Sequence, residues 1–180
     1  LAPCKINIKK YNSDGRTPLQ GVSFELKFIK ESEAYTADAL KTYTPLLKQG
    51  ETKTLTTDAN GNISFENLDQ GEYELIETKT VDGQTLLKDP IRITLPITMT
   101  NKEAKALSAA TDNGKFDEYT NKWYFYEATY EITNNATFTM PRTGGNGYWV
   151  FGLIGFGAAA VAVFGIVMYD KKKKKKHKKK

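Results

Sequence analysis

The 180-residue chain holds one cysteine, Cys4, and one histidine, His177. A single thiol cannot form an intramolecular disulfide, so the fold must be held by its core or by another kind of bond. His177 sits inside a terminal lysine run, which leaves residues 1–170 without an imidazole. That absence excludes His-dependent triads, Cys–His nucleophile pairs and ordinary zinc sites there. A carboxylate pair could still act in hydrolysis, but no spacing singles one out, and nothing in the chain demands a metal or cofactor. Charge is missing altogether from Tyr148 to Tyr169, a run of 22 residues. As a helix rising about 1.5 Å per residue, it reaches about 33 Å, enough to cross a hydrocarbon core of about 30 Å. Tyr148, Trp149 and Tyr169 place aromatic rings at its ends, and Asp170 and the lysine-rich 171–180 follow directly. So dense a positive cluster resists translocation, which predicts a cytoplasmic C-terminus and residues 1–147 outside.

The net charge of +5 belongs to that tail. Nine of the 26 basic residues are lysines in 171–180, leaving 17 basic against 20 acidic residues in 1–169. The remainder of the chain is therefore mildly acidic, which argues against nucleic-acid binding despite the high overall pI. About 136 residues precede the linker, the apolar run and the tail, the length of one domain. Leu1-Ala2-Pro3-Cys4 is a poor lipoprotein cleavage site because proline precedes the cysteine. With neither an initiator methionine nor a signal peptide, the chain reads as a processed or truncated C-terminal piece.

What is present is short-period alternation. Lys5–Tyr11 alternates polar and apolar residues, and Gly21–Phe28 places Val22, Phe24, Leu26 and Phe28 on one face, so both read as strands. Residues 31–50 are polar and weakly helical, a surface insertion. Thr52–Thr57 and Asn62–Glu66 flank Asp58-Ala59-Asn60-Gly61, whose Asn-Gly step predicts a hairpin. Tyr73–Glu77 is a strand ending near Asp82-Gly83, and Ile91–Ile97 is another. Thr100 and Glu103 have capping-box spacing, predicting a helix over 101–110. Gly114–Asn134 reads as a hairpin turning at Thr120-Asn121-Lys122. Short strands with frequent turns predict an all-β, immunoglobulin-like or prealbumin-like sandwich with short helical insertions.

Alternation also points three polar side chains into an apolar core. Ile6 and Ile8 carry Lys10 inward and leave Lys9 outside; Tyr73 and Leu75 carry Glu77 inward; Tyr130 and Ile132 carry Asn134 inward. Unpaired burial of such groups is costly, so they must serve one another. A buried Lys10–Glu77 salt bridge with Asn134 as hydrogen-bonded neighbour is one solution. A one-residue register slip would substitute Lys9 or Asn135, at the cost of turning the flanking isoleucines outward.

Three stretches together resemble the Cna B-type, SpaA-like prealbumin-fold modules of Gram-positive pilins and adhesins. They are Ile6–Asn12 with Asp14-Gly15 and Pro18–Phe24; Thr57-Asp58, Gly61, Ile63, Phe65, Leu68 and Gly71–Thr78; and Tyr130–Asn134. The resemblance covers most of residues 5–135, with 27–51 and 98–122 longer than a minimal module. It implies a spontaneous isopeptide bond between Lys10 and Asn134, assisted by Glu77 as the acid. Burial would favour a neutral lysine nucleophile and a neutral carboxyl, and positioning would supply a high effective molarity. This is a single-turnover self-reaction and implies no enzyme activity on an external substrate. Such a bond would enclose almost the whole domain and give a pull between the chain ends a covalent shortcut.

The C-terminal order of pentapeptide, spacer, apolar run and basic tail resembles a Gram-positive cell-wall sorting signal. Pro141, Thr143 and Gly144 match the usual Leu-Pro-x-Thr-Gly, with Met140 in place of leucine and Arg142 at the variable position. The resemblance implies that a sortase cleaves between Thr143 and Gly144 and passes the Thr143 acyl group to a peptidoglycan precursor or another pilin subunit. The expected organisation is a β-sandwich ectodomain over 1–136, sorting motif and Gly-rich spacer over 137–147, transmembrane helix over 148–169 and basic tail over 170–180. The membrane contact would be transient and the mature protein anchored at the cell surface. Two other readings stand beside this one. The domain could be an adhesin for a host or neighbouring-cell ligand, with Trp123–Tyr126 as the nearest thing to a sticky patch, or a single-pass membrane protein unrelated to sortase.

Overall fold

The computed structural model describes residues 2–33, 41–106, 114–133 and 138–142. Asn134, Thr143, Gly144, the apolar run 148–169 and the lysine tail lie outside the described residues. Eleven strands and one short helix occur among the described residues. β1 (Cys4–Tyr11), β4 (Asn62–Leu68), β10 (Glu127–Thr133) and β11 (Phe138–Arg142) form one sheet in the order β11-β10-β1-β4. β2 (Ser23–Glu31), β3 (Thr52–Thr56), β5 (Gly71–Lys79) and β6 (Ile91–Leu95) form a second, in the order β3-β2-β5-β6. β7 (Ile97–Thr100), β8 (Gly114–Asp117) and β9 (Lys122–Phe125) make a third, smaller sheet in the order β7-β9-β8. β1 and β10 run parallel, and every other pairing is antiparallel.

Alternation decides which face of each strand is buried. Cys4, Ile6 and Ile8 of β1, Phe24, Leu26 and Phe28 of β2, Tyr73 and Leu75 of β5, and Ala128, Tyr130 and Ile132 of β10 lie in one continuous apolar core. Ile63, Phe65 and Leu68 of β4 and Ile91, Ile93 and Leu95 of β6 extend it. Phe28 and Tyr73 stack across neighbouring strands with ring centroids 4.6 Å apart and planes 9° from parallel, an arrangement favourable beyond its apolar area.

Four expectations are altered by tertiary pairing. The Asp58–Gly61 turn joins no hairpin: β3 pairs with β2, whereas β4 crosses to pair with β1. The local turn chemistry is as expected, with Asp58 Oδ1 accepting from the Asn60 and Asn62 amides. The inward residues of β4 then choose the facing sheet, which turn chemistry cannot specify. Ile91–Ile97 is broken at Pro96 into β6 and β7, which belong to different sheets. The Gly114–Asn134 hairpin closes only as far as Phe125, after which β10 leaves to pair with β1. No helix occurs over 41–50; that segment is held by Leu47 in the core and by a Leu46 amide bond to the Asn67 carbonyl.

The capping box is present. α1 (Asn101–Ala106) begins with Glu103 Oε2 accepting from the Thr100 amide and Thr100 Oγ1 accepting from the Glu103 amide. The remainder of the expected helix, 107–110, lies outside the described residues.

Gly61 sits directly against the backbone of Lys10. Its φ is +74°, and a Cβ there would lie 2.4 Å from the Lys10 carbonyl oxygen. Its own carbonyl accepts the Lys10 amide at 2.8 Å, while the Lys10 carbonyl accepts from the Leu19 amide at 3.0 Å. Gly61 and Leu19 therefore clamp the Lys10 backbone on both sides. Gly61→Ala should lower the unfolding free energy by about 2 kcal/mol or more, from backbone strain plus the clash. Gly83→Ala, with φ +80° but nothing within 4 Å of the added carbon, should cost only about 1 kcal/mol. Urea midpoints of the two variants test the difference, and equal losses would contradict the clamp.

Candidate functional site

Lys10 and Glu77 reach toward each other from opposite sheets. Lys10 is the last inward position of β1, and both its side chain and that of Glu77 are fully buried. Its Nζ lies 3.1 Å from Glu77 Oε1. Beyond this contact neither atom has a hydrogen-bond partner among the described residues. Glu77 Oε2, in contrast, accepts the Leu87 amide at 2.7 Å, which fixes the carboxyl and leaves its other oxygen facing the amine. On the second sheet Phe24 is the Cα partner of Glu77, and its ring centroid is 5.9 Å from Lys10 Nζ. Lys9, one residue earlier, is exposed.

The electrostatics follow from this enclosure. Burial pushes the Lys10 pKa below its ordinary value, and the attraction of Glu77 only partly opposes that shift. The outcome is an amine that gives up its proton more readily than a surface lysine, set beside a carboxyl. Such a pair can supply a nucleophile and an acid–base group to a third group brought within reach.

The third residue expected here, Asn134, lies outside the described residues, but the strand leading to it does not. Lys10 and Ile132 are Cα partners in the parallel β1–β10 ladder, as are Tyr11 and Thr133. Met140, Pro141 and Arg142 fall in β11, antiparallel to β10, with Arg142 the Cα partner of Thr129. A strand therefore occupies part of the stretch read as sorting motif and spacer.

Several features were not legible in the sequence. The Leu87 amide is a backbone donor in a loop and carries no sequence signal. The Tyr130 hydroxyl is buried without a hydrogen-bond partner among the described residues, and burial raises its pKa. Asp69, also buried, binds Lys41 Nζ and Tyr43 Oη at 2.7 Å each and ties the 41–47 segment to the turn between β4 and β5. The Cys4 thiol is buried and pushed up to about 12, chiefly by desolvation, and so is inert as a nucleophile at neutral pH. The aromatic stretch 123–126 is mostly packing: Phe125 is buried, the other three are half-buried, and Trp123 Nε1 donates to Asn101 Oδ1 at 3.1 Å. No cluster of metal-ligating side chains occurs among the described residues.

The depressed Lys10 pKa has a defined linkage. Unfolding returns the amine toward its ordinary value of 10.5. Between the folded and unfolded values the unfolded chain binds more protons, so stability rises with pH in that window. Asn134→Ala keeps Lys10 as a free amine whatever its partner. Its unfolding free energy should climb more steeply as pH rises toward 10.5 than that of a Lys10→Met, Asn134→Ala chain. Parallel curves from denaturant titrations would contradict the buried amine.

The family described as SpaA, a prealbumin-like fold domain, matches residues 4–113. None of the curated proteins matches the chain. Among solved structures, the chain is similar to the full-length major pilin SpaD of Corynebacterium diphtheriae, with 22% identity and a TM-score of 0.49 over 74% of this chain and 30% of that one. It is also similar to BcpA, the major pilin subunit of Bacillus cereus, with 21% identity and a TM-score of 0.42 over 76% of this chain and 31% of that one. For the group B streptococcus pilus 2b backbone protein the values are 20% identity and a TM-score of 0.43, over 80% of this chain and 42% of that one. The chain thus spans under a third of the first two and under half of the third. With the family match covering more than half of its length, and an all-β sandwich built around one core, the chain belongs to the SpaA prealbumin-like fold domains.

Proposed function

We propose that the chain is a load-bearing domain of a pilin or wall-anchored surface protein of a Gram-positive cell, stabilised by a Lys10–Asn134 isopeptide bond. The observation that carries the reading is the enclosed Lys10–Glu77 pair: a buried amine with no acceptor beyond Glu77 among the described residues, next to a carboxyl held from behind by a backbone amide. An ordinary buried ion pair would need further hydrogen bonds to offset its desolvation. Asn134 has the same strand parity as Tyr130 and Ile132, whose side chains are buried, and it directly follows the residue partnered with Tyr11.

The proposed chemistry balances without a cofactor. The neutral Lys10 amine attacks the Asn134 carboxamide carbon, forming a C–N bond. Glu77 hydrogen-bonds the carboxamide, takes the proton lost by the amine and delivers it to the departing nitrogen, which leaves as ammonia. The new secondary amide removes the charge question from the core, and Glu77 ends in its starting state. No water is consumed and no turnover follows.

Export and anchoring complete the reading. Residues 148–169 would hold the chain in the membrane, the lysine tail would stop its transfer, and a sortase cysteine would attack the Thr143 carbonyl and release Gly144 onward. A peptidoglycan precursor or a second pilin subunit would then supply the accepting amine. The helix and tail are in this account transient, and residues 1–136 together with the segment through Thr143 form the mature piece.

Intact mass of the purified 180-residue chain should fall one ammonia below its sequence mass, whereas Lys10→Ala and Glu77→Ala should keep the full mass. Full mass in the unaltered chain would remove the cross-link from the account. Sortase treatment of the same chain should separate it between Thr143 and Gly144, and an intact product would remove the anchoring step alone.

A further inference from the structure

We propose that β11 is a release strand: a load applied beyond Arg142 unzips it from β10 before any other strand yields. The inference rests on the proposed anchoring only in that this is where load would enter.

Strand polarity carries it. β1 and β10 run in the same direction, with Lys5 beside Glu127 at one pole and Tyr11 beside Thr133 at the other. β11 runs back along β10, so Arg142 returns to Thr129, close to the pole where β1 begins. The chain thus enters the sheet at Cys4 and leaves it at Arg142 from the same end, two strand spacings apart. A pull between those points turns the domain until the force lies across the strands. Hydrogen bonds between neighbouring strands are then loaded one after another, the arrangement in which a ladder is weakest.

β11 is the element that must give first. It is a strand of five residues, paired on one side only among the described residues, with a register irregularity between Thr129 and Glu131. Pro141 supplies no backbone donor to its ladder. β1, at the other attachment, lies between β10 and β4 with its inward side chains in the core. A strand at the edge of a sheet opens at lower cost than one paired on both sides.

Release changes how the rest is loaded. Once β11 is off, the pull acts between Cys4 at one pole and Thr133 at the other, along the parallel β1–β10 pair. With a Lys10–Asn134 bond that load passes through the bond and along β1; without one, the hydrogen bonds of the pair resist together in shear. The freed residues 134–142 become a tether, and Met140–Arg142 are no longer paired in a sheet. From Glu127 to Thr133 the strand rises about 20 Å, and the freed residues span about 30 Å when extended. The starting separation of two strand spacings is about 10 Å, so the release step should lengthen the chain by about 40 Å.

The test holds the full 180-residue chain by handles at its two ends in single-molecule force spectroscopy. A Thr129→Cys, Arg142→Cys version is run beside it, oxidised and reduced. The unaltered chain and the reduced version should both give a first, low-force step of about 40 Å. In the oxidised version the new disulfide ties the first pair to be broken, and that step should vanish. A first step much longer than this in the unaltered chain, or a short step that survives oxidation, would overturn the proposal. Neither result depends on whether a sortase cleaves at Thr143, which the enzymatic assay reads separately.

Discussion

The structure depends on how a lysine amine is accommodated inside an apolar sandwich. An ammonium taken from water into such surroundings is strongly disfavoured unless it is paired and hydrogen-bonded. Lys10 has one carboxylate oxygen at 3.1 Å, a phenylalanine ring nearby and no other acceptor among the described residues. Several parts of the fold hold the amine in that place. The Gly61 turn and the Leu19 amide fix the Lys10 backbone, the Leu87 amide fixes the carboxyl, and the parallel β1–β10 ladder aligns the first strand with the last strand of the core. Each contact is modest alone. Together they preorganise two reactive groups, which is what a self-reaction needs in place of an external catalyst.

This arrangement also addresses the lack of disulfides. Joining residue 10 to residue 134 would close a loop around nearly the whole domain, and the chain-entropy estimate for a loop of that order is about 4–5 kcal/mol. The mechanical consequence depends on β11. Because that strand returns the chain to the pole where it entered, the proposed cross-link would come under axial load only after β11 is stripped, and a soft edge and a hard core would then act in series.

Much of this was legible in the sequence. Period-two alternation correctly assigned Ile6, Ile8 and Lys10 to one face and Lys9 to the other, because a half-buried strand repeats at two residues. The same reasoning put Tyr73, Leu75 and Glu77 in the interior, and the Thr100–Glu103 spacing found the start of α1. Pairing partners were another matter. Asp58–Gly61 encodes a tight turn, but whether the strands beside it pair depends on which sheet buries Ile63 and Phe65, a long-range choice. The Leu87 amide could not have been found, since a backbone donor is independent of residue type. β11 was hidden because Pro141 and the pentapeptide around it read as linker, while its backbone pairing depends only on the neighbouring edge of β10.

The central claim is a covalent bond at the end of the Lys10 side chain. Its most direct measurement is peptide mapping of the digested, unaltered chain by tandem mass spectrometry. A branched peptide is expected, in which the Lys10 segment is joined through its side chain to the Asn134 segment, with one ammonia missing at the junction. Recovery of both segments as separate linear peptides at full mass would contradict the bond, and would leave Lys10 and Glu77 as a buried ion pair in a domain held by packing alone.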